Sequence, residues 1–151
     1  MPLVTFYFQL HQPFRLHPER DKFLWEEQNR SIFRKVAEKC YLPATEMFAE
    51  LVTAHPSFKI TFGMSGTFLM QAELYRPELI TLLQKLYEAG AKNRQVEYLD
   101  ETHYHSLASL FEDPQKTEFR DQVAMHREMI ERLFGFSPVS FRNTELMYTN
   151  E

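Results

Sequence analysis

Four short clusters in the 151-residue chain gather the side chains that could do chemistry: His11-Gln12, Gly63-Met64-Ser65-Gly66, Glu101-Thr102-His103-Tyr104-His105, and Arg142-Asn143-Thr144-Glu145. Carboxylates, imidazoles, amides and an arginine on one rim would suit the binding of many hydroxyl groups and acid–base or nucleophilic chemistry. Each residue also has a plainer reading. His11, ahead of Gln12-Pro13, could simply satisfy backbone groups in a turn. His103 and His105 stand two apart with no cysteine partner, which is not a strong zinc spacing, so no metal and no other cofactor is expected. Glu145, just past an apolar segment, is either an ordinary surface carboxylate or a buried, hydrogen-bonded anion. Glu97 lies inside a β-type run and faces either solvent or a polar interior. Trp25 either anchors a long loop or offers an apolar platform to a flat ligand, a role Tyr104 and Tyr148 could share.

These clusters need elements to place them. Residues 4–10 mix β-branched and aromatic side chains and predict a buried strand that stops at Pro13. A loop over residues 14–28 follows, long enough to suggest function. Helical spacing begins at Asn29, is interrupted at Pro43, and resumes to His55-Pro56. Residues 58–62 predict a second strand, 63–66 a turn, and 67–89 a helix restarted at Pro77, with Leu79, Leu82, Leu83 and Leu86 as core and Gly90 as a left-handed cap. A third strand is expected over residues 95–99. Asp113-Pro114 reads as the start of a helix whose inward face is Phe119, Val123, Ile130 and Phe134, closed by Gly135. Residues 138–142 predict a fourth strand. Repeated strand-then-helix passages imply an α/β fold with a parallel sheet, in which functional groups gather at the carboxyl ends of the strands. Four strands cannot close a barrel, and a fourth strand without a covering helix would be a bare edge, so residues 1–151 are expected to be part of something larger.

Composition narrows the field. Seventeen Lys+Arg against 21 Asp+Glu give a net charge of −4, and no basic block provides a footprint for nucleic acid. The single cysteine, Cys40, cannot form an internal disulfide and reads as an inert small hydrophobe; with no leader-like N-terminus and no long apolar run, neither export nor a membrane partner is expected, and a cytoplasmic protein is. Aromatic residues make up 15% of the chain, more than a core usually needs, which suits stacking on sugar rings.

His11-Gln12-Pro13, KITFGMSGTFLMQ (residues 59–71), VEYLDETHYHSLASL (96–110) and SFRNTELMYTN (140–150) together resemble the N-terminal half of glycoside hydrolase family 57, most closely its α-amylase-like and 4-α-glucanotransferase-like members. The resemblance implies a seven-stranded (β/α)7 barrel, here truncated after its fourth strand, acting on α-glucans or maltooligosaccharides by a retaining mechanism. It implies that Glu145 is the nucleophile and His11 a substrate-binding histidine. Glu97, His103, Tyr104 and His105 follow as candidate substrate-binding residues, and Gln12, Trp25 and Arg142 join them as candidates on the reading of the residues themselves. The family's general acid/base, an aspartate in a later segment, has no counterpart in these residues, so the isolated chain is expected to be inactive without the missing C-terminal half of the barrel. Two other classes stay open: a metal-dependent polysaccharide deacetylase-like barrel using His11, His103 and His105, and a non-catalytic carbohydrate-binding fragment.

Overall fold

The structure, a computed structural model, describes residues 4–18 and 23–147. In chain order the elements are β1 (Phe6–Leu10), α1 (Glu26–Val36), α2 (Leu42–Ala54), β2 (Ile60–Met64), α3 (Gly66–Tyr75), α4 (Pro77–Ala91), β3 (Val96–Leu99) and α5 (Thr117–Phe134). The strands pair in parallel in the order β1-β2-β3. Register puts Phe8, Phe62 and Tyr98 in one row and Tyr7, Thr61 and Glu97 in the adjacent row. Successive residues of a strand point to opposite faces. The first row enters an aromatic core: Phe62 meets Phe48 and Tyr98 edge-on, and Tyr98 packs on Tyr87 and Phe134. The second row is half-buried and polar.

Several boundaries differ from the sequence reading. Helix α1 starts at Glu26 rather than Asn29, and the preceding loop is pinched by a Leu16–Leu24 antiparallel bridge. Pro43 does not break the helical run. A π-turn over Ala37–Tyr41 lets the Leu42 amide reach back to the Ala37 carbonyl, widening the turn where a proline ring would otherwise clash. Cys40 lies on that turn and is exposed, not packed as a small hydrophobe. Strand β2 begins at Ile60 because Phe58 is used in a turn, its amide bonded to the His55 carbonyl and its carbonyl to Gln95 Nε2. Gly90 does not cap α4 in a left-handed conformation. It sits inside the helix where Val96 packs on it, and an added Cβ would lie 2.6 Å from Val96 Cγ2. Asp113 holds a turn before α5, Oδ2 accepting from the Thr117 amide at 2.6 Å, so the helix opens four residues later.

The expected fourth strand is the largest correction. Residues 138–142 pair with the backbone of the strand region through a single bridge, Asp100 to Phe141, with the Asp100 amide donating to the Ser140 carbonyl (2.8 Å) and the Arg142 amide to the Asp100 carbonyl (3.0 Å). Pro138 has no amide proton to extend the ladder. The inward stripe of α5 also differs: the buried residues are Gln122, His126, Ile130 and Leu133, two of them polar. His126 is fully buried between Asp100 Oδ1 (2.8 Å) and the Met64 carbonyl (2.8 Å), and Arg127 closes on Asp100 Oδ2 at 2.7 Å. This clamp ties α5 to the carboxyl ends of β2 and β3. Among the described residues no helix is long and apolar enough to cross a membrane.

Two stability predictions follow from this packing. Gly90→Ala is expected to lower stability by about 1–2 kcal/mol, overpacking outweighing the ~1 kcal/mol gain in helix propensity, and to lose less in a Val96→Ala background. An unchanged urea midpoint would contradict the contact. His126→Leu is expected to cost about 1–3 kcal/mol by leaving the buried Asp100 Oδ1 and the Met64 carbonyl without their imidazole partner, and a loss below ~0.5 kcal/mol in the same assay would show that the clamp is dispensable.

Candidate active site

The carboxyl ends of the three strands and the segment after residue 138 meet on one rim. At the tip of β1, His11 Nδ1 lies 2.8 Å from Ser65 Oγ. Ser65 is also the N-cap of α3, its hydroxyl accepting from the Phe68 amide, and its own amide donates to the Leu10 carbonyl. One serine thus fixes a helix start and the first imidazole together. The His11 ring stacks on His105, with centroids 4.4 Å apart and planes 29° from parallel.

His105 stands between two carboxylates. Its Nδ1 is 3.6 Å from Glu101 Oε1 and its Nε2 3.4 Å from Glu145 Oε1, both ion-pair separations rather than short hydrogen bonds. Glu101, chiefly, holds the His105 pKa above its ordinary value; burial opposes it, and Glu145 adds to the rise. His11 is pushed the other way, first by burial and then by the neighbouring His105 charge. Glu101 is 1% exposed and accepts from Gln9 Nε2 at 2.9 and 3.2 Å. Gln9 is bonded in turn by the Tyr7 hydroxyl and, at 3.5 Å, by Arg142 Nη1. Burial raises the Tyr7 phenol to about 12, and the Arg142 guanidinium lies 4.4 Å over its ring. Gly63 makes room for this convergence: a Cβ there would meet Tyr7 Oη at 2.4 Å, Gln9 Oε1 at 2.7 Å and Glu101 Oε2 at 2.9 Å.

Glu145 occupies a 3₁₀ turn, Thr144–Leu146, anchored by Thr144 Oγ1 to Thr102 Oγ1 (2.9 Å) and by Asn143 Nδ2 to Ser109 Oγ (2.7 Å). Its side chain is 74% exposed, so the buried-anion reading is corrected: no described element packs over the turn, and His105 supplies its polar contact. His105, Glu145 and Leu146 all adopt positive φ (54°, 53° and 56°), a conformation costly for non-glycine residues and frequent at working sites.

The other candidates divide. Arg142 reaches the rim through Tyr7 and Gln9. Glu97 lies on the polar face with Ser140 Oγ donating to it at 2.5 Å, so it points to the polar interior rather than to bulk solvent. Tyr104 is 47% exposed and, with His11, Phe14, Met70 and Tyr75, lines a groove of about 730 Å³. Gln12 turns away from the rim: its side-chain amide donates to the Tyr41 hydroxyl (2.9 Å), and its backbone carbonyl accepts from Gln71 Nε2. Trp25 packs on His17 as a loop anchor and is not part of the groove wall. His103 lies against Gly66, whose absent Cβ would be 2.2 Å from Nδ1; its pKa is lowered, first by burial. Its Nδ1 has no hydrogen-bond partner. Thus His11 and His105 meet while His103 is directed elsewhere, and among the described residues no group of three or more His, Cys, Asp or Glu is arranged to hold a metal ion. Tyr148 lies outside the described residues. The sequence reading did not single out Tyr7, Gln9 or His126. The signal for the first two was a polar alternation, residues 7 and 9, inside an aromatic strand; His126 offered only its spacing, four residues before Ile130 on the buried stripe.

A family model described as glycosyl hydrolase family 57 matches residues 5–151. A Methanocaldococcus jannaschii protein named "Putative alpha-amylase" is 40% identical over 156 residues, covering 98% of this chain and 32% of that protein. A Pyrococcus horikoshii protein named alpha-amylase is 31% identical over 90 residues, covering 60% of this chain and 12% of its own length. The chain therefore spans about a third of the first relative and less of the second. Among solved structures, 4-alpha-glucanotransferase from Thermococcus litoralis superposes with a TM-score of 0.67 at 20% identity, covering 97% of this chain and 20% of that one. A GH57 branching enzyme from Thermococcus kodakaraensis gives 0.65 at 15% identity, covering 93% and 32%. At these identities the structural likeness speaks to the fold. The family-model match, spanning the rim from the first strand to the Glu145 turn, establishes that this chain belongs to glycosyl hydrolase family 57.

Proposed function

We propose that residues 1–151 form the opening portion of a (β/α)7-barrel domain acting on α-glucans such as starch, glycogen or maltooligosaccharides in the cytoplasm, as an α-amylase-like hydrolase or a glucanotransferase. The observation that carries this reading is the placement of His105 between His11, at the end of the first strand, and Glu145, at the end of the described chain. Sugar-binding and attacking groups thereby share one rim. In a retaining mechanism Glu145 Oε attacks the anomeric carbon, a glycosyl ester forms, and the bond to the leaving oxygen breaks as that oxygen takes up a proton. Water or a sugar hydroxyl then releases the glycosyl group. His11 orients the reacting sugar, and Tyr104 provides a flat wall beside it.

The proton for the leaving oxygen needs a second carboxyl group, about 5–5.5 Å from the first in retaining enzymes. Glu101 is a poor donor for that step, because it is buried, the Gln9 amide grips its carboxylate, and His105 stands 3.6 Å away. We assign the acid/base to the remainder of the barrel, outside residues 1–151. The chain on its own therefore binds glucan without cleaving it.

Purified residues 1–151 are expected to release no reducing ends from maltoheptaose, while millimolar maltooligosaccharide shifts the NMR signals of His11, Tyr104 and His105. Release of reducing ends that Glu145→Gln abolishes would overturn the assignment of the acid/base to another segment. An absence of shifts at all three residues would overturn the glucan-binding reading.

A further inference from the structure

We propose that Glu101 is a positioning residue: its buried carboxylate holds the His105 ring, and that ring holds Glu145 in place on the rim. The inference rests on the reading of Glu145 as the attacking carboxylate and deepens it by naming what orients that group.

Three observations converge. First, Glu101 cannot turn away, because the Gln9 amide grips its carboxylate and Gly63 leaves only enough room for Tyr7, Gln9 and Glu101 together. Second, the left-handed backbone at His105 folds the chain back, so that a residue four positions later presents one ring nitrogen to Glu101 and the other to Glu145. A neutral imidazole has one N–H, whereas a ring facing a carboxylate at each nitrogen satisfies both only when it carries two protons. Third, Glu145 is exposed on a strained turn, and His105 is the side chain that reaches its carboxylate. Removing the Glu101 charge would leave the ring free to become neutral, and one of the two contacts would lose its proton.

The titratable groups that face His105 are Glu101, Glu145 and the stacked His11, with Tyr7 and Arg142 one step away through Gln9. The carboxylates favour the protonated ring, while His11 and burial oppose it. Because the folded-state value lies above the unfolded one, the stabilisation from this ring is present below the unfolded histidine pKa. It is lost as pH rises through the raised folded value.

The test is an NMR pH titration of the imidazole nitrogens in the 151-residue chain, with the urea-unfolded chain as reference. His105 is expected to titrate above the unfolded histidines. Glu101→Gln, which keeps the size of the side chain but not its charge, should lower the midpoint by about one pH unit, a roughly tenfold change in proton affinity. Glu101→Asp should recover part of that loss. Should Glu101→Gln fail to fold, the unchanged chain and Glu145→Gln decide: the His105 midpoint should stay above the unfolded reference in both. A midpoint at or below the reference in the unchanged chain overturns the proposal, as does indifference to Glu101→Gln. A fall to the reference in Glu145→Gln overturns it too, because Glu145 rather than Glu101 would then be holding the ring. The titration needs no saccharide, so it can succeed or fail independently of the glucan experiment.

Discussion

The Glu101 carboxylate is withdrawn from water at the carboxyl end of β3, and a buried charge of this kind persists only where partners replace its hydration. Much of the rim can be derived from that requirement. Gln9 must point its amide inward, which places Tyr7 on the same face two residues earlier, and Gly63 must lack a side chain between them. His105 must fold back on a left-handed backbone to bring its ring alongside, and His11 then finds a flat partner at 4.4 Å. A second buried carboxylate, Asp100, anchors the same strand end from behind through His126 and Arg127. Two neighbouring acidic residues at one strand tip therefore have opposite duties, one fixing the helix layer and the other shaping the rim.

This arrangement bears on the chemistry expected of family 57. An attacking carboxylate has to remain ionised and correctly aimed, and a protonated imidazole beside it serves both needs. Glu145 meets the His105 imidazole while still open to solvent, on a turn whose Thr144 and Asn143 are pinned by Thr102 and Ser109 rather than by a strand. The described rim offers the groups proposed for binding and attack; the proton donor belongs to the proposed remainder of the barrel. Hydrolysis and transfer differ only in which hydroxyl later meets the glycosyl ester, so this rim would serve either.

Much of the fold was legible because hydrophobic period and punctuation agree. Apolar runs gave the three parallel strands, Pro77 and Gly135 marked helix ends as read, and Leu79, Leu83 and Leu86 went to the core while Leu82 stayed half-buried. The errors share a cause: local signals were overridden by contacts distant in sequence. Gly90 looks like a cap until Val96 needs its space, and Phe58 looks like strand until Gln95 claims its carbonyl. The segment after Pro138 has strand composition yet makes a single bridge. At the site, residue types at strand tips located His11, His105, Arg142 and Glu145 together. Burial could not be read the same way: of the two readings open for Glu145 the exposed one holds, Gln12 is directed to Tyr41 rather than to the rim, and the fully enclosed His126 gave no signal.

The central claim, that the tips of the first and third strands and the Glu145 turn form one rim through His105, can be tested most directly by proton–proton NOE measurements on the histidine rings. Stacking at a 4.4 Å centroid separation predicts cross-peaks between the ring protons of His11 and His105. The absence of such cross-peaks in the folded chain, with both rings assigned, would contradict the account.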